Sequence, residues 1–361
     1  MHSRARGALV CALTLTLALA LAPAAVADAA KPKPKPTSVE VMTRNIYLGG
    51  NIFGPLAATT REEFERLAGA LWAEVQHTNF PARAKLLAGE VKRTKPDLIG
   101  LQEVALWRRG PDGVKDGATT PATQVVYDFL ATLNRELKRA GLNYAVAVKR
   151  TEADIEAPID AGYDVRLTMR DVILVKKRRD LKITKRLSAN YQTEIGVPTV
   201  GGTITSRRGW TAVDARLNGS RFRFVNTHLE AALEATRVAQ AQELIAPGGP
   251  LRVQRPIILV GDFNSDPNGT ESPSSAFDVI KGFGFADSWP RRFGPGFSCC
   301  TDNSDLSDTT ANAFDHRVDL ILSKPRLKAL RGEVVGDETS DRSGGLWPSD
   351  HAGVVLTLRL P

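Results

Sequence analysis

Carboxylates, amides and imidazoles stand at the ends of apolar runs along much of this chain. Ile257-Ile258-Leu259-Val260 leads straight through Gly261 into Asp262, Asn264 and Asp266. Glu103 closes "DLIGLQE", Asn45 closes "VEVMTRN" and His228 closes "RFRFVNTH". Asp350 and His351 precede "AGVVLTLRL", and Asp319 lies near the start of "VDLILS". Each has a bland reading taken singly, because Gly, Asp and Asn form ordinary turns and a histidine before a strand is often structural. Their repetition weighs against that, since packing alone rarely needs so many polar groups at strand ends. Oxygen donors without thiolates suit a hard cation, Mg2+ with Mn2+ or Ca2+ as alternatives, better than Zn2+. Such a cation, held by one or two carboxylates, leaves room for phosphate oxygens. A histidine backed by a carboxylate can handle the proton of an attacking water. Phosphate-ester hydrolysis uses this combination.

To act together these residues must be carried to one place. Further β-type runs are "NYAVAVKR", "DVILVKK" and "GWTAVDARL", and apolar residues recur at helical spacing over 61–76, 81–94, 123–140 and 234–245. Asn218-Gly219, between "GWTAVDARL" and "RFRFVNTH", suits a tight hairpin and makes those strands antiparallel. The sheet is then mixed or antiparallel, and strands running up and down can bring both kinds of end to one edge. No composition break interrupts 39–361, which reads as one domain. A helical segment between Tyr47 and Phe80 and a long loop over 107–121 are expected to border the cleft, with Trp107 and Trp347 walling it. A dinucleotide-binding fold is excluded, because Gly49-Gly50 lacks the required glycine spacing.

The first residues differ from the rest. Arg4 and Arg6, the apolar "GALVCALTLTLALALAP" and the small residues "AAVADAA" form the three regions of a secretory signal peptide, expected over 1–27. A secreted, extracellular protein follows, with no transmembrane segment in the mature chain and a monomer expected. "KPKPKPTS" is a stiff, extended linker within 28–38. The formal charge of +8 falls to +6 without Arg4 and Arg6, and to +3 without Lys31, Lys33 and Lys35. High basicity is thus weak support for a nucleic-acid partner, although "KKRRD" (176–180) and Arg207-Arg208 could form local patches. Cys299 and Cys300 fit either a vicinal disulfide or two thiols.

The ordered series "TRNIYLGGN", "LQEV", "RDVILVKK", "VNTHLE", "GDFNSDP", "RVDLIL" and "SDH" resembles the endonuclease/exonuclease/phosphatase superfamily, which includes deoxyribonuclease I and bacterial sphingomyelinases. The resemblance implies an α/β fold, a four-layer α/β/β/α sandwich with two mixed, largely antiparallel sheets. It implies a metal-dependent phosphoesterase with Glu103 as the main metal carboxylate, Asp350 as the second, and Asn45 as an amide near metal and phosphate. Asp262 and Asn264 match the pair that orients water and binds the phosphate, His351 the catalytic histidine and Asp319 the partner that holds it. His228 matches a histidine on the phosphate or leaving group. Arg44 stands where relatives often carry an aromatic, and Arg170 is a further candidate for a phosphate contact.

The expected activity is hydrolysis of phosphodiesters. The alternatives are a sphingomyelinase-type or phosphoinositide lipid phosphoesterase with peripheral membrane contact, and a non-catalytic binding protein on the same fold. The absence of a paired-aromatic hairpin tip favours a nuclease or soluble-diester hydrolase over the lipid enzyme, while the modest basicity of the folded part counts the other way.

Overall fold

The computed structural model describes residues 37–113, 121–270, 272–301, 303–308 and 314–361. The expected signal peptide and nearly all of the linker lie outside the described residues. The chain opens with β1 (Ser38–Asn45), α1 (Arg61–His77), α2 (Phe80–Thr94), β2 (Leu98–Gln102), β3 (Leu106–Pro111), β4 (Gln124–Asp128) and α3 (Phe129–Arg139). It continues through β5 (Tyr144–Ile159), β6 (Tyr163–Lys176), β7 (Leu181–Asn190), β8 (Ile195–Thr199), β9 (Gly202–Ser206), β10 (Gly209–Leu217) and β11 (Ser220–His228). Then follow α4 (Glu234–Ile245), β12 (Ile257–Asp262), α5 (Ser275–Gly282), β13 (Ala286–Asp287), β14 (Asp319–Lys324), β15 (Lys328–Val335) and β16 (Gly353–Arg359).

Two large sheets result. One has the order β15-β16-β1-β2-β6-β3-β4 with β5 on β6, the other β13-β14-β12-β11-β10-β7, and β8-β9 form a separate hairpin. Among the described residues, only β1/β2 and β11/β12 pair in parallel; the rest of the ladders are antiparallel. Strand alternation sorts side chains between layers. Along β1, Val39 and Val41 join Phe222, Phe224, Ile258 and Leu356 in the core shared by both sheets. Met42 faces the other way, into a cluster with Trp72, Leu87 and Leu133 of α1, α2 and α3. On the far side Leu259 and Leu320 pack with Ala241, Leu244 and Ile280 of α4 and α5. The order is therefore helix, sheet, sheet, helix, as the resemblance implies.

The Asn218-Gly219 hairpin is present, both residues having positive φ (48° and 95°) as a tight turn demands. The helix expected over 123–140 is only half present. Residues Gln124–Asp128 form β4, and Asp128 then caps α3 by accepting from Ala131 N. The β-branched Val125-Val126 pair explains the change of state, because such residues favour a pleated neighbour over a helix turn. Likewise "WRRGP", expected as loop, is the strand β3, paired with both β4 and β6.

Candidate active site

Register brings the predicted residues together. In the parallel β1/β2 pair Asn45 stands beside Gln102, so Glu103 follows at the same edge. His228 and Asp262, terminal in β11 and β12, are register partners, and Asp262 in turn faces Asp319 at the start of β14. The segment before β16 adds Asp350 and His351 from the neighbouring sheet. Close approach of β11 and β12 explains the glycine of "GDFN": a Cβ on Gly261 would lie 2.0 Å from Thr227 O, and its φ is +152°.

Asn45 is the hub. Its Nδ2 donates to Glu103 Oε1 (3.2 Å) and Asp262 Oδ2 (3.1 Å), while its Oδ1 accepts from Tyr47 N (3.0 Å). Glu103 Oε2 accepts from Leu48 N at 2.8 Å. Asp262 Oδ1 accepts from Asn264 N at 2.9 Å, and Asn264 Nδ2 donates to Leu229 O at 3.0 Å, leaving its carbonyl oxygen to the cleft. Glu103 and Asn264 both have left-handed backbones, φ 58° and 47°. Such strain costs about 1–3 kcal/mol per residue and is concentrated at functional sites.

Two histidines flank Asp262. His351 Nδ1 is 2.8 Å from Asp319 Oδ2, and its Nε2 is 3.7 Å from Asp262 Oδ2. Burial works against the imidazolium, but Asp319, Asp262 and Asp350 together raise the His351 pKa well above its ordinary value. On the other side His228 Nε2 is 3.5 Å from Asp262 Oδ2. Burial, Arg208 and His351 hold its pKa well below the ordinary value. Arg208 Nη1 approaches its ring nitrogens at 3.0 and 3.2 Å, and a guanidinium can only donate. The two histidines are therefore shifted in opposite directions, His228 away from the imidazolium and His351 toward it.

The carboxylates suit a divalent cation. Burial and then Asp350 raise the pKa of Glu103, burial foremost raises that of Asp350, and burial with Asp319 raises that of Asp262. A positive ion among them would offset both penalties. Glu103 and Asp350 are half-buried, whereas Asp262 and Asp319 lie beneath, with Asp319 Oδ1 buried and unpaired. Ligand atoms of Asp262, Asp319 and His351 lie within 4.8 Å of one another. His351 Nδ1 in that trio is turned to Asp319, and Glu103 and Asp350 are the more accessible of the site's carboxylates.

Other expectations are corrected. Asp266 is wholly buried and caps its own turn, accepting from Asn268 N and Thr270 N. Arg170 donates to Val104 O, Ala105 O and Asp128, so it braces the loop after Glu103 and is not available to phosphate. Arg44 is spent on Glu90 and the His351 carbonyl. Trp347 is wholly buried, donating to Asp308 O and packing on Phe314, and walls no cleft. Of the basic patches, Arg207 pairs with Glu194 and Arg178 with Asp97 and Asp180, while Lys177 and Arg179 beside Arg178 are exposed. The sulfurs of the adjacent Cys299 and Cys300 each lie 3.9 Å from His351 Nε2.

Arg208 was legible only as part of a basic pair, and nothing in "SRRGW" marks it as buried. Asn226 was hidden within "FVNTH"; it accepts from Gln102 Nε2 (2.5 Å) and donates to Leu101 O (3.2 Å), tying the two sheets together beneath the site. Arg83, read only as part of a helix, donates to Ile46 O, Tyr47 O, Thr78 O and Pro348 O. It thereby fixes the segments carrying Asn45 and Asp350.

The family model for the endonuclease/exonuclease/phosphatase family matches residues 71–351. The chain belongs to that family. Its members are hydrolases acting on phosphoester bonds. Solved structures agree in fold. A family protein from Bacteroides vulgatus is 18% identical, with 90% of this chain and 100% of that one covered and a TM-score of 0.55. One from Leptotrichia buccalis is 15% identical, with 89% and 100% covered and a TM-score of 0.53. The Bacteroides thetaiotaomicron mannosyl-6-phosphatase Bt3783 is 19% identical, with 89% and 99% covered and a TM-score of 0.53. No curated protein matches the chain in sequence.

Proposed function

We propose that this chain is a secreted, divalent-metal-dependent phosphodiesterase. The observation that carries the reading is the unequal pair of histidines about Asp262, with His351 held by Asp319 at 2.8 Å. The basic, apolar and small-residue regions over 1–27 support secretion. Asp262 accepts the proton of the attacking water; its raised pKa makes it a stronger base than an ordinary carboxylate. The carbonyl oxygen of Asn264 orients that water. His351, positive and fixed by Asp319, faces the phosphate as a donor. As the new P–O bond forms, the ester P–O bond breaks and the departing oxygen takes up the proton that His351 donates, with His228 beside it; the proton on Asp262 then returns to His351. A divalent cation held by Glu103, Asp350 and Asn45 would supply positive charge to the phosphate oxygens.

The test is hydrolysis of bis(4-nitrophenyl) phosphate by the purified protein. We expect turnover with Mg2+ or Mn2+ and its loss on chelation, restored by adding the ion back. Undiminished turnover after exhaustive metal removal would sink the metal mechanism.

A further inference from the structure

Beside the site lies a cavity of about 260 Å³ lined almost wholly by apolar side chains from the segment 52–71, β5, β6, the β8-β9 hairpin and the turn before α4. An engineered apolar cavity of about 150 Å³ takes up benzene, so this one is large enough for an apolar ligand group. Trp107, Met169, Arg208 and Glu230 are among its lining residues. Two of these link it to the site. Arg208 meets His228 at 3.0 Å, and Trp107 Nε1 donates to Leu48 O (2.8 Å), the residue whose N–H binds Glu103. At the cavity's edge Phe53 and Leu233 are 48% and 51% exposed, unusually high for large apolar side chains.

The few polar groups at the wall are already committed. Ser206 Oγ donates to Glu230 Oε2 (2.9 Å), Glu230 Oε1 accepts from Ala232 N (3.0 Å), and Arg208 lies between Glu230 and His228. A ribose or a base placed here would bring hydroxyls and ring nitrogens to a lining without free partners, at the cost of their hydration. An alkyl or acyl chain brings no such groups.

We infer that this cavity is a substrate subsite for an alkyl or acyl chain of a phosphoester whose phosphate sits among Asn45, Asp262 and His351. The inference rests on the phosphodiesterase reading above and deepens it. It also runs against the preference for a nuclease or soluble-diester hydrolase, because the cavity that adjoins the site through Arg208 is apolar. The helical insertion between Tyr47 and Phe80, idiosyncratic in sequence, supplies one wall of the subsite through Phe53 and its neighbours.

A series of 4-nitrophenyl alkyl phosphates, methyl to octyl, keeps the leaving group fixed while the chain lengthens. With the full chain and Mg2+, kcat/KM is expected to rise about two- to fourfold per methylene until the cavity is full, as burial of each CH2 predicts. Phe53→Asp and Leu233→Asp, at exposed positions, should lower the octyl-to-methyl ratio at least tenfold. Binding of octyl phosphate, followed calorimetrically without metal, should show a negative heat-capacity change that both variants weaken. The same series with a hexadecyl ester in phosphatidylcholine vesicles separates two sources of such a chain. Turnover there points to a membrane lipid, and turnover of monomeric octyl ester alone to a soluble amphiphile. Equal kcat/KM across the series overturns the subsite and leaves the phosphodiesterase reading standing. Failure to hydrolyse even the methyl ester with metal overturns that reading itself. Cleavage of plasmid DNA in preference to the octyl ester would also refute the alkyl subsite.

Discussion

His228 and His351 both approach one carboxylate oxygen of Asp262, at 3.5 and 3.7 Å, yet their pKa values are moved in opposite directions. The difference comes from their other neighbours, a guanidinium against His228 and a carboxylate against His351. His351→Ala should therefore lower the chemical rate roughly a hundredfold or more, the usual scale for an acid-base group. Asp319→Asn should act in the same direction, and the double variant should cost little more than His351→Ala, because the two act as one unit. Single-turnover kinetics on the two variants and their combination measures this, and additive losses would separate them. At this scale the sequence was most informative where a polar residue ended an apolar run, as at Asn45, Glu103, His228 and Asp262, or opened one, as at Asp350 and His351. Arg208 escaped because charge patterning does not distinguish a solvated arginine from one buried against a histidine. Trp347 and Asp266 misled for the converse reason: they stand next to site residues in sequence while their side chains are wholly buried elsewhere.

Strand register is what turns separate motifs into one site. His228 faces Asp262, and Asp262 faces Asp319, across three consecutive strands of one sheet, so a slip by a single residue would turn these side chains to the other face. Gly261 guards that register. Its added Cβ would meet Thr227 O at 2.0 Å, backbone that cannot yield cheaply. Gly261→Ala is expected to destabilise the fold by about 3 kcal/mol, within the range for overpacking and strain. Denaturant unfolding checks it, and a loss below about 0.5 kcal/mol, the level of an ordinary surface change, would show that β11 and β12 tolerate separation. The two sheets and most helices were legible because strand alternation and helical spacing differ in period. The failures are instructive: β4 lies immediately before an amphipathic helix and borrowed its pattern, and β3 carries Arg108 and Arg109 on an accessible strand where apolar alternation is weak. Arg108 is spent on Asp154 and Thr168, contacts that sequence spacing cannot reveal.

Across the whole molecule, buried carboxylates set how stability responds to pH. Burial, then repulsion from Asp171, raises the Glu152 pKa well above its ordinary value. Burial likewise raises Asp171, opposed by Arg208 and reinforced by Glu103 and Asp262. Both carboxylates are buried without a hydrogen bond of good geometry to either oxygen, the N–H groups of Gly209 and Glu103 helping only weakly. Glu103, Asp262 and Asp350 are raised as well. The sign follows from proton linkage: where the folded state binds more protons than the unfolded one, stability falls as pH rises. For these acids the stabilisation is complete below about pH 4, the ordinary carboxylate range, and is lost as pH rises through the raised folded values. A cation that binds only the folded state acts against this loss. Protons compete with it for Glu103 and Asp350, so its increment grows with pH. At a hundred times its dissociation constant it should add about 2.7 kcal/mol, or about 5 °C in Tm for a domain of this size. Thermal unfolding between pH 5 and 8, with chelator and with Mg2+, should show the chelated protein losing Tm as pH rises and Mg2+ restoring most at the upper end. Glu152→Gln removes one raised acid away from the cation ligands, so it should flatten the loss in chelator while keeping the Mg2+ increment. Glu103→Gln should abolish most of the increment. An increment of equal size at both pH limits, or one that survives in Glu103→Gln, would place the cation elsewhere than among the strand ends.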